Sequence, residues 1–351
     1  MANIVEVKHP GVFLEEEINK LGISINEFST RTLIPLKTLN KLIKGEANLN
    51  VDVAKKIASF FNTDVVNWMN LQTRYEEYLI DIENYKNIHK EIEVLKYFDK
   101  DFLKKVVDKS ISLTDKENVV YDLRKKLMVN SLELLKSDDL FNIYKDTAFK
   151  PEEKIMVLQN AFISYAYSIT NYKRGHNYDY KENTNIVDGL KKLTLVEKNQ
   201  YQNIIELLKN NGINVAVVPY IKDSNIASFV RFLPRENSVI IGINDKTNDA
   251  YLFLYNILVE LSYTYRIHKN LFKIVYANEP LDDYAKRFAN FTIIDGGQYD
   301  FFVSIHDFSA KSLEIFCKKF NIAKYIVVGR LRQDKLIKQA DLKKENKEYK
   351  F

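Results

Sequence analysis

Apolar residues recur at helical spacing through the first eighty residues. They fall three or four positions apart, which places their side chains on one face of an α-helix, and polar residues occupy the other positions. Gly22 and Gly45 interrupt this pattern where a helix can end, and Pro35 stands where one can begin. The pattern predicts a bundle of five short helices.

The second and third predicted helices are joined by a tight turn. Ser24-x-x-Glu27 is a capping box at the start of the second helix. The turn runs through Leu33 and Ile34, and Pro35 opens the third helix. The predicted inward positions are Leu14, Ile18 and Leu21 of the first helix and Leu36, Leu39 and Ile43 of the third.

The outer face of the third helix, around "LNKLIKG", carries Lys37, Asn40, Lys41 and Lys44 at positions i, i+3, i+4 and i+7. Two short helices joined by a tight turn form the helix-turn-helix plan, whose second helix enters the DNA major groove. Asparagine can bond adenine in bidentate fashion, and lysine can reach guanine or phosphate. The predicted DNA-binding residues are Arg31, Lys37, Thr38, Asn40, Lys41 and Lys44.

The same lysine stripe also fits an ordinary solvated helix face. Acidic residues slightly outnumber basic ones over residues 1–80, which favours a bundle that contacts only protein. The local concentration of positive charge on the third helix favours DNA binding. Both interpretations remain open from the residues alone.

The stretch from Ser24 to Gly45 resembles the XRE/Cro-type helix-turn-helix, and the flanking "HPG" and "NWMNLQTRYE" are similar to the HigA-like antitoxin branch. The resemblance implies a homodimer that binds a double-stranded DNA operator, with recognition helices about 34 Å apart. The chain has Ile25, Ser29 and Leu33 where the family usually has glutamine, alanine and glycine. Loss of the glutamine removes a common DNA contact. A leucine in a turn that favours positive φ costs on the order of 1 kcal/mol.

The C-terminal half has a different pattern. "INVAVVPYI" and "NSVIIGIN" are rich in valine and isoleucine and predict strands, with long amphipathic helices after them. We therefore expect a mainly α protein with a small α+β C-terminal domain. The expected domains are a helix-turn-helix bundle over 1–80, a helical middle over 81–184 and the α+β domain over 185–351.

Residues 185–340 resemble the ImmA/IrrE family of zinc peptidase-like domains, through "GINVAVVP", "VIIGIN", "LVELSYTYR", "AKRFANFTII" and "YIVVGRLRQDKLI". The family's H-E-x-x-H motif binds zinc through two histidines on one helix face. The matching positions here are Val259, Glu260, Leu261, Ser262 and Tyr263, and Tyr284 follows Asp283 near the third ligand position. The resemblance therefore implies a degenerate site at Val259, Glu260, Tyr263, Asp283 and Tyr284, with no metal, cofactor or enzymatic activity.

Taken together, the two resemblances imply a DNA-binding transcriptional regulator, antitoxin-like or of phage-repressor type. Its inactive peptidase-like domain would bind a protein partner, either a toxin or an inducer. One alternative is an ImmA-like metallopeptidase that cleaves a repressor. The other is a pure protein-interaction module.

Composition narrows these possibilities only a little. The 351 residues carry a formal charge of +5, too mild to indicate a nucleic-acid partner by itself. Cys317 is the single cysteine, so an intrachain disulfide or a cysteine-based zinc site cannot form. The beginning of the chain lacks the apolar core of a signal peptide, and no run approaches the roughly 20 apolar residues of a membrane helix. We expect a cytoplasmic protein without membrane contact.

Overall fold

The computed structural model describes residues 6–143, 151–170, 176–266 and 271–351. Its contacts divide the chain into two compact units, one ending at Lys90 and the other beginning at Glu91. The domain boundaries expected at 80/81 and 184/185 stay predictions.

Five α-helices occupy the described part of the first unit, and the last of them continues beyond Lys90 to Val94. They enclose one apolar core that includes Phe28, Ile57 and Trp68. The fifth helix has 30 residues, so the expectation of five short helices is wrong for this element. The helices are α1 (Pro10–Lys20), α2 (Ile25–Thr32), α3 (Leu36–Ile43), α4 (Val51–Phe61) and α5 (Val65–Val94).

Two leucines predicted to face inward are exposed instead. Leu21 follows the last residue of α1, where the chain turns away, and 54% of it is exposed. In α3 the buried face is centred on Leu39 and Leu42, which are separated by about 60° around the helix. Leu36 lies about 120° from Leu42 and is therefore turned toward solvent, with 38% exposed.

The second unit surrounds a four-stranded mixed sheet with helices. Its strands are β1 (Ile213–Val218), β2 (Ile226–Leu233), β3 (Ser238–Asn244) and β4 (Phe272–Tyr276), in the order β1-β3-β2-β4. β1 pairs parallel to β3, and β2 pairs antiparallel to both β3 and β4. The helices are α6 (Lys100–Val106), α7 (Lys116–Lys126), α8 (Glu153–Ile169), α9 (Asn183–Thr194), α10 (Gln200–Asn210), α11 (Ala250–Thr264), α12 (Asp283–Ile293), α13 (Gly296–Ser304), α14 (Ala310–Phe320) and α15 (Lys324–Gln333).

The apolar pattern accounts for this arrangement. β3 is buried almost throughout because it is central in the sheet, and α11 is buried on nearly all sides because it packs against β2, α12 and α15. The expected fold class, mainly helical with a small α+β C-terminal part, is confirmed. Within the described ranges, none of the helices combines the length and the apolar character needed to cross a membrane.

Candidate DNA-binding surface and C-terminal cleft

The turn that positions α3 is fixed by local hydrogen bonds. Ser24 Oγ accepts a hydrogen bond from the Glu27 amide at 3.1 Å and caps α2, as the capping box predicts. Leu33 ends α2 in the left-handed region, with φ of 54°. Ser29 Oγ donates to the Ile34 carbonyl at 2.6 Å and holds the chain in the turn. The non-glycine residue at this turn is therefore stabilised from α2.

The close contact between α1 and α3 depends on the "HPG" segment at residues 9–11. This structural role was not predicted from the sequence. A Cβ on Gly11 would lie 1.9 Å from the Leu42 carbonyl oxygen, so only glycine permits this approach. His9 Nδ1 accepts a hydrogen bond from the Gly11 amide at 3.0 Å and caps α1. Burial lowers the pKa of His9, which suits this neutral acceptor role. The position of Gly11, just after a capping residue and before an apolar run, could have indicated a close helix contact.

The segment after α3 is anchored to α5. Gly45 ends α3 with φ of 72°, a conformation that favours glycine. Buried Gln72 accepts a hydrogen bond from the Leu49 amide at 2.9 Å and donates to Glu76 at 2.8 Å. Both ends of α3 are thus held to the bundle.

The outer face of α3 is open to solvent. Lys37, Asn40, Lys41 and Lys44 are all exposed and follow one stripe of the helix. Among the described residues, none of the three ammonium groups lies within 4.0 Å of a carboxylate oxygen. By contrast, Lys20 and Lys56 pair with carboxylates on their own helices. The stripe therefore presents uncompensated positive charge around one amide side chain.

The other two predicted DNA-binding residues, Arg31 and Thr38, have different surroundings from the stripe. Arg31 lies on α2 and pairs with Glu27, so its charge is already compensated. Thr38 is half-buried in the first turn of α3, where its amide bonds the Pro35 carbonyl at 2.8 Å. The structure brings Lys37, Asn40, Lys41 and Lys44 onto one face and leaves Arg31 off that helix.

In the second unit, the residues at the resemblance's motif positions lie mostly in the interior. Val259, Glu260 and Tyr263 are buried on α11. Neither carboxyl oxygen of Glu260 makes a hydrogen bond of ordinary geometry with the described residues, although the Ser228 hydroxyl lies close enough to interact with the carboxyl group. Burial raises the pKa of Glu260 to about 8, and the Ser228 hydroxyl and Lys273 charge oppose that rise only in part. Glu260 is therefore mainly neutral near pH 7.

Tyr263 and Asp283 reach an open cleft of about 480 Å³ beside β4. Arg266 joins this region to α12, since its guanidinium pairs with Asp282 at 3.0 Å and lies 4.6 Å from the ring centre of Tyr284. Burial, followed by the Asp282 carboxylate, raises the pKa of Tyr263. The residues of the expected degenerate site are thus divided. Val259 and Glu260 lie in the protein core, whereas Tyr263 and Asp283 line the cleft.

These side chains do not fit a zinc site. Val259 has no donor atom, and burial raises the pKa of Tyr263, which favours its neutral phenol over the phenolate. Tyr284, near the third position, is a second phenol, and its ring lies against the Arg266 guanidinium. No group of three or more His, Cys, Asp or Glu side chains in the described part of the chain is arranged to hold a metal ion.

β4 is the edge strand beside this cleft. The Phe232 amide bonds the Leu271 carbonyl at 2.9 Å, and bonding alternates along an antiparallel pair. With Phe229 opposite Ile274 and Arg231 opposite Phe272, the backbone groups of Phe272 and Ile274 point away from the sheet. A second open cleft of about 530 Å³ also borders this edge. Among the residues that the structure describes, no strand pairs with this edge of β4, so its outward backbone donors and acceptors lie next to two clefts.

Residues 14–67 match the helix-turn-helix family model. This match spans α2, the turn and α3, the elements that present the lysine stripe. Among curated proteins, virulence-associated proteins I and A' of Dichelobacter nodosus are 28% and 29% identical over 69 residues. Those alignments cover 19% of this chain and only 64% and 60% of the two relatives.

A third relative is an uncharacterized HTH-type transcriptional regulator, YddM, of Escherichia coli strain K12. It is 29% identical over 66 residues, which are 19% of this chain and 70% of the relative. No solved structure matches the chain. The expected helix-turn-helix at the N-terminus is confirmed. The narrower HigA-like assignment and the ImmA/IrrE resemblance stay predictions, because the family match ends at residue 67.

Proposed function

We propose that this chain is a sequence-specific DNA-binding transcriptional regulator, with α3 of its helix-turn-helix in the major groove. The observation that carries the proposal is the exposed stripe of Lys37, Asn40, Lys41 and Lys44 on the helix that this motif directs into DNA. Asn40 can read adenine, and the lysines can contact guanine or phosphate. The YddM relative's description as a transcriptional regulator supports the same function.

The test is fluorescence anisotropy with duplexes from the DNA upstream of the chain's own gene. Asn40→Ala combined with Lys41→Ala removes one amide and one free cation from the stripe, so specific binding should be lost. Lys20→Ala is the matched control, because Lys20 is exposed but pairs with Glu17 on α1. Equal affinity of the wild type and the double variant would contradict the proposal. A wild-type affinity that does not change with salt would favour the pure interaction module, since phosphate contacts release counterions.

The second unit, in this proposal, binds a protein partner such as a toxin or an inducer. The outward backbone groups of Phe272 and Ile274 can pair with an extended segment of the partner, as exposed sheet edges do. The flanking clefts provide space for the alternating side chains of that segment. Partner binding would regulate transcription if it favoured one arrangement of the DNA-bound dimer.

Calorimetric titration with the purified product of the neighbouring reading frame tests this partner site. Ile274→Pro removes an outward amide and keeps the bonds between β4 and β2, so it should abolish binding. Lys209→Ala on α10 is the control for a surface change, because Lys209 is exposed and lines neither cleft. Binding that survives Ile274→Pro would place the partner elsewhere.

We further propose that the second unit is not an enzyme. The support is the side-chain chemistry at Val259, Tyr263 and Tyr284, which lacks a zinc ligand set. The ImmA-like metallopeptidase alternative requires stoichiometric zinc by elemental analysis. It also requires repressor cleavage that is lost in Glu260→Gln.

A further inference from the structure

Leu36 is a partly exposed apolar side chain at the margin of the outer face of the recognition helix. It is the first residue of α3, and 38% of it is exposed, while Leu39 and Leu42 fill the core. An exposed leucine alone needs no explanation, because folded proteins expose much apolar surface. The position of Leu36 in the recognition helix is what suggests a function.

Leu36 lies beside Asn40, at the margin of the lysine stripe. They are four positions apart, so their Cβ atoms lie about 5–6 Å from each other on the helix surface. Both are exposed, and Lys37 adjoins them. The N-terminal residues of a recognition helix are the ones that meet base edges. Docking of α3 that brings Asn40 to a base therefore also brings Leu36 to the groove floor.

Leucine can complement only one feature of the major groove. Base edges there present hydrogen-bond donors and acceptors, except for the 5-methyl group of thymine. A polar base edge against Leu36 would lose its water without gaining a partner, which is unfavourable. Contact with a methyl group instead removes apolar surface of both partners from water.

We propose that Leu36 reads the 5-methyl group of a thymine next to the base that Asn40 contacts. This inference rests on the proposed DNA-binding function and specifies part of the operator chemistry. It requires a thymine in each half-site and explains why the first residue of α3 is apolar although it faces solvent.

Replacing each thymine of a bound duplex by deoxyuridine tests the proposal. The probe is the shortest duplex from the chain's own upstream DNA that the wild type binds. Deoxyuridine removes the methyl group and keeps the base pair. When the thymines are replaced one at a time, one thymine in each half-site should be sensitive, and each such single replacement should weaken wild-type binding about fourfold, as expected for one buried methyl group.

The Leu36→Ala variant should bind the thymine and deoxyuridine duplexes equally at that position. Lys37→Ala, the matched control on the same helix turn, should weaken binding to both duplexes and keep the methyl preference. Leu36→Ala should fold normally because Leu36 lies outside the core, and circular dichroism verifies this.

The outcomes separate this inference from the function on which it rests. If the wild type binds specifically but no deoxyuridine weakens binding, or if Leu36→Ala keeps the methyl preference, the Leu36 contact is wrong and DNA binding stands. If the wild type binds no upstream duplex, the proposed function fails and the Leu36 contact fails with it.

Discussion

At the scale of single residues, Leu33 carries the strain of the helix-turn-helix turn. Its φ of 54° is costly for a side chain with a Cβ, and 80% of it is exposed, so little burial compensates. Leu33→Gly should stabilise the protein by about 0.5–1 kcal/mol, measured as a shift of the urea unfolding midpoint. The stability of Leu33→Asn should lie between those of the wild type and Leu33→Gly, and Leu33→Val should be less stable than the wild type. A glycine variant less stable than wild type would show that the leucine side chain contributes to folding.

The second residue-scale prediction concerns Glu260. Its folded-state pKa of about 8 exceeds its ordinary value of 4.5, so the folded protein holds a proton that the unfolded chain releases between these values. Stability should therefore fall as pH rises through this window, by up to about 1.4 kcal/mol per pH unit, and level off above pH 8. Glu260→Gln removes this titration. The stability difference between variant and wild type, from urea unfolding, should grow in favour of the variant from pH 5 to pH 8. A constant difference would mean that Glu260 does not titrate there.

At the scale of elements, the packing of α1 on α3 sets the position of the recognition helix. A methyl group at Gly11 would meet backbone atoms of Leu42 and Ile43 within 2.8 Å, and backbone cannot move aside cheaply. Gly11→Ala should destabilise the first unit by about 1–3 kcal/mol, followed by thermal unfolding, and should also weaken DNA binding. Gly22→Ala is the control, because no atom lies within 4 Å of its added Cβ and only its φ of 67° is strained. Equal effects of the two variants would show that contact with α3 is not limiting.

Prediction from sequence succeeded where one physical signal dominated an element. The apolar period located α1 to α4, and the valine- and isoleucine-rich runs located β1 and β3. β2 and β4 were not predicted as strands. β2 carries Arg231, which is accommodated because its guanidinium lies 4.7 Å from the ring centre of Phe272 on β4, a tertiary contact invisible in the pattern. The exposure of Leu36 was missed because it depends on packing partners that the pattern does not show. α5 was expected to be short, but Val65–Val94 contains neither glycine nor proline to end the helix.

At the scale of the whole molecule, the formal net charge of +5 indicates less about function than the positions of the charged residues do. Lys37 and Lys41 on α3 and Lys44 at its C-cap have no ion-pair partner among the described residues, whereas several other lysines are paired. Proposed partner binding and proposed DNA binding thus use different units with different chemistry. One unit offers cations and an amide, and the other offers a sheet edge beside open clefts.

The expected homodimer makes a geometric prediction about the operator. Two recognition helices about 34 Å apart meet the same DNA face when half-site centres are separated by one helical turn, about 10–10.5 base pairs. Inserting five base pairs between the half-sites rotates one of them to the opposite face, so affinity in an anisotropy titration should fall toward that of a single half-site. Deleting one half-site supplies the reference. If the five-pair insertion leaves affinity unchanged while the single half-site binds weakly, the two helices are not held at a fixed spacing, and flexible coupling of the two copies replaces the rigid dimer.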